Sequence, residues 1–187
     1  MLHHLLRNAL DIDPARPIVE SDGSWTTAAD LERLASRLAS GLAAAGLEEG
    51  DRVAFLLPNC LEAMVCYLAC FRMKFVVVPL DYQYHPLQVG YALGHSGASI
   101  LFADHERIAG LDEAGALGAV SRVVVVRGEA ADGKRRSFES LLGAERSLPS
   151  DSPHDDDPAV MIYTSGTTSR PKGVVLSYGA LSTGVRK

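Results

Sequence analysis

Short β-branched runs alternate with helix-patterned segments along most of the chain, and few folds accommodate that alternation. Residues 53–57 (VAFLL), 75–79 (FVVVP), 99–103 (SILFA) and 122–126 (RVVVV) read as short buried strands. Between 26 and 45, apolar Leu31, Leu34, Ala35, Leu38 and Leu42 recur at helical spacing, with Thr26 or Thr27 as N-cap and Gly46 as the stop. After Pro58, Asn59 is placed to cap a second helix that runs to about Arg72, with Glu62 as the acid of a capping box. His85-Pro86 opens a third helix, because proline is tolerated in a first turn. A helix-prone, Gly-interrupted stretch holding Leu111 and Leu117 separates the last two apolar runs. Strands joined through helical crossovers imply an α/β fold with a mainly parallel sheet.

A chain of 187 residues, 47% of them hydrophobic, can bury a sizeable core in one domain or at most two. Residues 132–157 are polar and read as a surface connection, with one short helix at the apolar patch 138–142 and a solvated turn at Asp155-Asp156-Asp157. A strand at 159–164, a polar loop, a strand at 173–176 and a helix capped by Ser177 complete the pattern. The 18 basic residues are scattered and the net charge is -5, which gives no electrostatic footprint for nucleic acid or an anionic membrane. No apolar run approaches the roughly 18 to 20 residues that span a bilayer. The start MLHHLLRNALDIDP does not read as a secretory leader, so cytoplasm is the expected compartment.

Cys60, Cys66 and Cys70 fall in one apolar segment, and neither their odd number nor their spacing suggests a disulfide framework. Cys66 and Cys70 share a helix face, where small buried hydrophobes are a commoner reading than metal ligands. His3 and His4 read as a solvated terminus.

The chemistry-bearing segment is residues 163–174, YTSGTTSRPKGV. Five hydroxyls (Thr164, Ser165, Thr167, Thr168, Ser169) and two cations (Arg170, Lys172) surround Gly166 and Gly173. Glycine permits close backbone approach to a ligand, amides and hydroxyls donate hydrogen bonds, and lysine supplies a point charge, so phosphate oxygens suit such a loop. By composition alone a plain polar hairpin is an equal reading. The Walker pattern is excluded, because Lys172 follows Pro171 and precedes Gly173 and Val174. Ser169-Arg170-Pro171-Lys172 fits the S-x-x-K spacing of acyl-serine hydrolases, but it enters a β-branched run rather than opening a helix, and no companion motif is present.

YTSGTTSRPKGV resembles the signature loop of the adenylate-forming superfamily, which includes acyl-CoA synthetases, luciferases and peptide-synthetase adenylation domains. Residues 26–42, 71–80, His85-Pro86, Ser96-Gly97-Ala98 and 101–104 resemble core segments of the same family, the His-Pro pair and the run 76–80 looking most like acyl-CoA synthetases. The resemblance implies the N-terminal part of such an enzyme's large domain and a two-step ligase. A carboxylate attacks the α-phosphate of ATP to give acyl-adenylate and pyrophosphate, and coenzyme A then takes the acyl group. It also implies that Thr164, Ser165, Gly166, Thr167 and Thr168 contact the outer phosphates, that Lys172 is the loop's lysine, and that Mg2+ assists.

Three departures from the family pattern stand out: Ser169 and Tyr178 stand where glycine and histidine are usual, and Met73-Lys74-Phe75 where Ala-Gly-Ala is usual. Lys74 reads as a solvated or snorkelling lysine. The adenine pocket, acyl tunnel and C-terminal-domain lysine of the family have no counterpart in residues 1–187, so the isolated chain is expected neither to form acyl-adenylate nor to bind coenzyme A. The alternative is a non-catalytic binding or interaction module that keeps the fold. Apolar surface left uncovered predicts self-association or association with the missing portion of such an enzyme.

Overall fold

The computed structural model describes residues 2–130, 135–144, 153–164 and 171–185. Helix α1 (Leu2–Ile12) leads into a hairpin of β1 (Pro17–Ser21) and β2 (Ser24–Thr27), an addition to the elements expected from sequence. Its turn is Asp22-Gly23, both with positive φ (51° and 76°), which is the type I′ geometry that two-residue hairpins favour. Thr26 and Thr27 close the second strand, and α2 (Ala28–Ala44) starts where its expected cap placed it. Thr27 is the N-cap, its hydroxyl accepting from the Asp30 amide. Gly46, with φ 82°, closes α2 as a Schellman turn: the Leu47 amide donates to the Leu42 carbonyl at 3.2 Å, and Leu47 is buried beneath it.

Strand β3 (Arg52–Leu56) is followed by α3 (Leu61–Arg72), β4 (Val76–Pro79), α4 (Pro86–Ser96), β5 (Ile100–Asp104), α5 (His105–Glu113), a short 3-10 turn (Ala116–Ala119) and β6 (Val123–Val126). The expected cap of α3 is corrected by one residue: Cys60, not Asn59, is the N-cap, and it makes no side-chain cap bond. At α4 the expected start holds, with His85 as N-cap in a capping box with Gln88.

With β7 (Arg136–Ser137), β8 (Pro158–Thr164) and β9 (Lys172–Ser177), a seven-stranded sheet has the order β7-β6-β5-β3-β4-β8-β9. The five strands β6, β5, β3, β4 and β8 are parallel neighbours, and β9 returns antiparallel to β8. Right-handed crossovers put α3, which steps from β3 to β4, and α4, which steps back to β5, on opposite faces. The cores confirm this. Cys66, Ala69 and Cys70 of α3 pack with Val53, Phe55 and Val77, whereas Val89, Ala92 and Leu93 of α4 pack with Ala54, Leu56 and Val78. Covered on both faces, the central strands need continuous apolar runs, which is why they read as valine-rich blocks rather than alternating ones.

Within 132–157 the expected short helix is present, but the segment is more than a surface connection. Strand β7 (Arg136–Ser137) pairs with β6, and α6 (Phe138–Leu141) buries Phe138 and Leu141. The Phe138 ring meets Phe102 edge-on at 6.4 Å, and Phe102 in turn meets Phe55, its register partner on β3, at 5.8 Å. Asp155 and Asp156 are exposed, as a solvated turn requires. Ser177 caps α7 (Tyr178–Val185) by accepting from the Ala180 amide at 3.3 Å, as expected. Among the described residues no helix is long and apolar enough to cross a membrane.

Candidate functional site

The polar loop leaves the sheet at the carboxyl end of β8, on the same edge as the ends of β3, β4, β5 and β6. Ligands of open α/β sheets bind at that edge. The antiparallel register sets Thr164 directly across from Lys172, and both are exposed. Of the predicted phosphate contacts, then, Thr164 and Lys172 are brought together at the mouth of the hairpin. Ser165, Gly166, Thr167 and Thr168 lie outside the described residues, as do Ser169 and Arg170.

The residue just before the loop is tied down at both ends. The Tyr163 phenol, almost fully buried, donates to the Ala92 carbonyl at 3.1 Å and lies 2.8 Å from His95 Nδ1, both on α4. Its carbonyl accepts from the Tyr84 hydroxyl at 3.4 Å. Burial pushes the Tyr163 hydroxyl above the usual phenol range, so it holds its proton. Tyr84 is itself held, its carbonyl accepting from Arg107 Nη2 at 2.6 Å, while the same guanidinium donates to the Tyr82 carbonyl and sits 5.2 Å over the Tyr82 ring. The polypeptide between β4 and α4 thus braces the root of the loop. Sequence reasoning missed this bracing, because Tyr84, Ala92 and His95 lie about 70 to 80 residues before Tyr163 and no local pattern pairs them with it.

Next to β8, a cleft of about 360 Å³ opens at the carboxyl ends of β3 and β4, lined by Leu57, Asn59, Tyr67, Asp81 and Tyr82 among others. Its floor is the buried Phe55 ring, against which Tyr67 packs edge-on at 5.3 Å. Among the described residues no group of three His, Cys, Asp or Glu is placed to hold a metal ion.

Two departures from the family pattern turn out to be architectural. Tyr178 is buried, packs edge-on against Phe71 at 5.9 Å and donates its hydroxyl to the Phe71 carbonyl at 3.2 Å, fastening α7 to α3. Lys74 has φ 56°, in the left-handed region, and its side chain is only 12% exposed, with Nζ 3.4 Å from a Glu49 carboxylate oxygen. It snorkels to Glu49 rather than standing in open solvent.

A parallel sheet covered on both faces, closed on one side by an antiparallel hairpin with a hydroxyl- and glycine-rich loop at the carboxyl edge, defines an α/β protein built to present that loop. The sequence of the whole arrangement matches the family model described as "AMP-binding enzyme" over residues 6–187, and the chain belongs to that family. A feruloyl-CoA synthase of Amycolatopsis is 37% identical over 172 residues, covering 91% of this chain and 32% of the relative. A 3-oxocholest-4-en-26-oate--CoA ligase of Rhodococcus rhodochrous is 34% identical, with the same coverage. Among solved structures, ATP-bound MatB from Rhodopseudomonas palustris is 32% identical with a TM-score of 0.78, covering 98% of this chain and 36% of that one. The chain spans about a third of the length of the curated relatives it matches.

Proposed function

We propose that this chain is the N-terminal, phosphate-binding part of an ATP-dependent acyl-CoA synthetase. Such an enzyme joins a small-molecule carboxylate to ATP, giving acyl-adenylate and pyrophosphate, and passes the acyl group to coenzyme A in the cytoplasm. The observation that carries the reading is the closing pair of the β8–β9 hairpin, where an exposed hydroxyl and an exposed ammonium face each other at the carboxyl edge of a parallel sheet. Thr164 and Lys172, with Ser165, Gly166, Thr167 and Thr168 from the loop, would hold the β- and γ-phosphates. Lys172 supplies positive charge where negative charge grows on the departing pyrophosphate, and donors fixed beforehand do so without reorganising. The Tyr163–Tyr84 bracing supplies that fixity. Mg2+ would be bound together with the nucleotide's phosphates, whose charge it would help to neutralise.

Carboxylate-dependent ATP–pyrophosphate exchange tests the reading. The 187-residue chain alone is expected to be silent, while the full-length gene product exchanges and its Lys172→Ala variant loses on the order of a hundredfold in rate, as removal of one preorganised charge does elsewhere. A full-length protein that folds and exchanges nothing would favour the non-catalytic module instead. Tyr178, though it departs from the family pattern, packs in the core and so does not argue for that alternative.

A further inference from the structure

The hairpin that carries the polar loop is fastened unevenly to the rest of the sheet. The ladder between β4 and β8 registers at Val77 and Val160, whereas β8 and β9 pair from one end of the hairpin to the other. Beyond Val160, Tyr163 ties β8 to α4 through its hydroxyl and to Tyr84 through its carbonyl. Tyr163 faces Gly173 in the register, one step from the Thr164–Lys172 pair, so what fixes its ring fixes both strands at the mouth of the loop.

A phenol has one proton to give and an oxygen that can accept. The Tyr163 proton goes to the Ala92 carbonyl, 3.1 Å away, so across the 2.8 Å to His95 Nδ1 the imidazole is the donor. Ser96, whose hydroxyl also lies beside the phenol, gives its own proton to the Leu93 carbonyl at 3.1 Å. The His95 ring is held for the task, stacked on Tyr91 at 5.5 Å and edge-on to Tyr163 at 5.7 Å. We infer that His95 is a positioning residue for the phosphate loop: its Nδ1–H keeps the Tyr163 phenol in the orientation that clamps β8 to α4, and so sets where Thr164 and Lys172 stand. Without that donor the phenol can turn its own proton toward another acceptor, and the bond to Ala92 is no longer enforced. His95 acts through Tyr163 and not on the nucleotide. The inference rests on the reading of the loop as a phosphate site.

Two readouts keep it separable from that reading. In carboxylate-dependent ATP–pyrophosphate exchange by the full-length gene product, His95→Phe keeps the ring contacts and removes the donor. Its kcat and kcat/KM for ATP are expected to fall together by about tenfold, because misplaced donors weaken transition-state rather than ground-state binding. His95→Asn, whose side-chain amide can put an N–H where Nδ1 stood, should recover most of the loss. In a Tyr163→Phe background, His95→Phe should cost no more than about twofold, since the hydroxyl it acts on is gone. Hydrogen–deuterium exchange of the peptide spanning 160–170 reads the positioning without the reaction: His95→Phe should speed it several-fold and His95→Asn should not. Full rate and unchanged peptide exchange in His95→Phe, an equal loss in His95→Asn, or a loss undiminished by Tyr163→Phe would each overturn the assignment. A parent protein that exchanges no pyrophosphate, while His95→Phe still loosens the peptide, would uphold the positioning and count against the enzymatic reading alone.

Discussion

Lys74 holds a backbone conformation that a residue without a β-carbon adopts at no cost. It follows Met73, the C-cap of α3, and its φ of 56° lets the Phe75 amide reach back to the Cys70 carbonyl at 2.9 Å while the Phe75 ring is fully buried. That is a Schellman turn with lysine in the glycine position, and for an L-residue it costs about 1 kcal/mol. The Glu49 ion pair offsets part of this, but Glu49 is largely exposed and such pairs contribute little. Lys74→Gly should therefore be more stable than Lys74→Ala by about 1 kcal/mol, because alanine keeps the strain and loses the lysine stem. Urea midpoints of the two variants decide it, and equal midpoints would refute the account. The sequence exposes Lys74 as an oddity beside its relatives but cannot say why glycine is usual there. Dihedral angles are not written in a single residue's identity.

At the scale of elements, what local chemistry determines was legible and what long-range contact determines was not. The helix period of α2, the His85 and Ser177 caps, and the valine blocks of β4 and β6 follow from neighbours within one turn or one strand, so they could be read directly. The Asp22-Gly23 hairpin was missed, because its two strands of five and four residues are too short to show alternation. By contrast, β7 pairs with β6 beside a Phe138 that packs on Phe102, and the loop root is fixed because Tyr163 finds α4. Of the candidate site, the loop itself was legible from composition and resemblance, while the bracing that positions it was not. Gly41 shows the same limit inside a helix that was read correctly. A β-carbon there would lie 1.6 Å from the Leu141 carbonyl oxygen, so α2 and α6 meet only because residue 41 has none. Gly41→Ala improves helix propensity by roughly 1 kcal/mol yet should destabilise the protein by at least 1 to 3 kcal/mol, since the backbone of α6 must move. A calorimetric Tm at or above that of the parent would sink this explanation.

The whole molecule sequesters acidic protons, and that sets how its stability responds to pH. Cys66 and Cys70 are fully buried in the core between α3 and the sheet, and burial raises both thiols well above their ordinary range. Burial likewise raises the Tyr178 hydroxyl, and it pushes half-buried Cys60 up to about 11. In the unfolded chain the same groups release their protons at ordinary values, near 8.5 for a thiol and 10 for a phenol. Above about pH 8.5 the folded state therefore holds more protons than the unfolded one, so stability must fall as pH rises; below that value the contribution is present in full. Each fully buried thiol steepens the loss by about 1.4 kcal/mol per pH unit once its unfolded form ionises, and Tyr178 joins above about pH 10. The expected result is a urea midpoint that is level from pH 7 to 8 and declines steadily to pH 11. Tyr178→Phe, which leaves the ring against Phe71 but nothing to ionise, should flatten the decline only in its upper part, whereas replacing Cys66 and Cys70 together with alanine should flatten it from the start. A midpoint indifferent to pH up to 11 would mean that the thiols and the phenol are not held in a dry core, and the packing of α3 and α7 against the sheet would have to be redrawn.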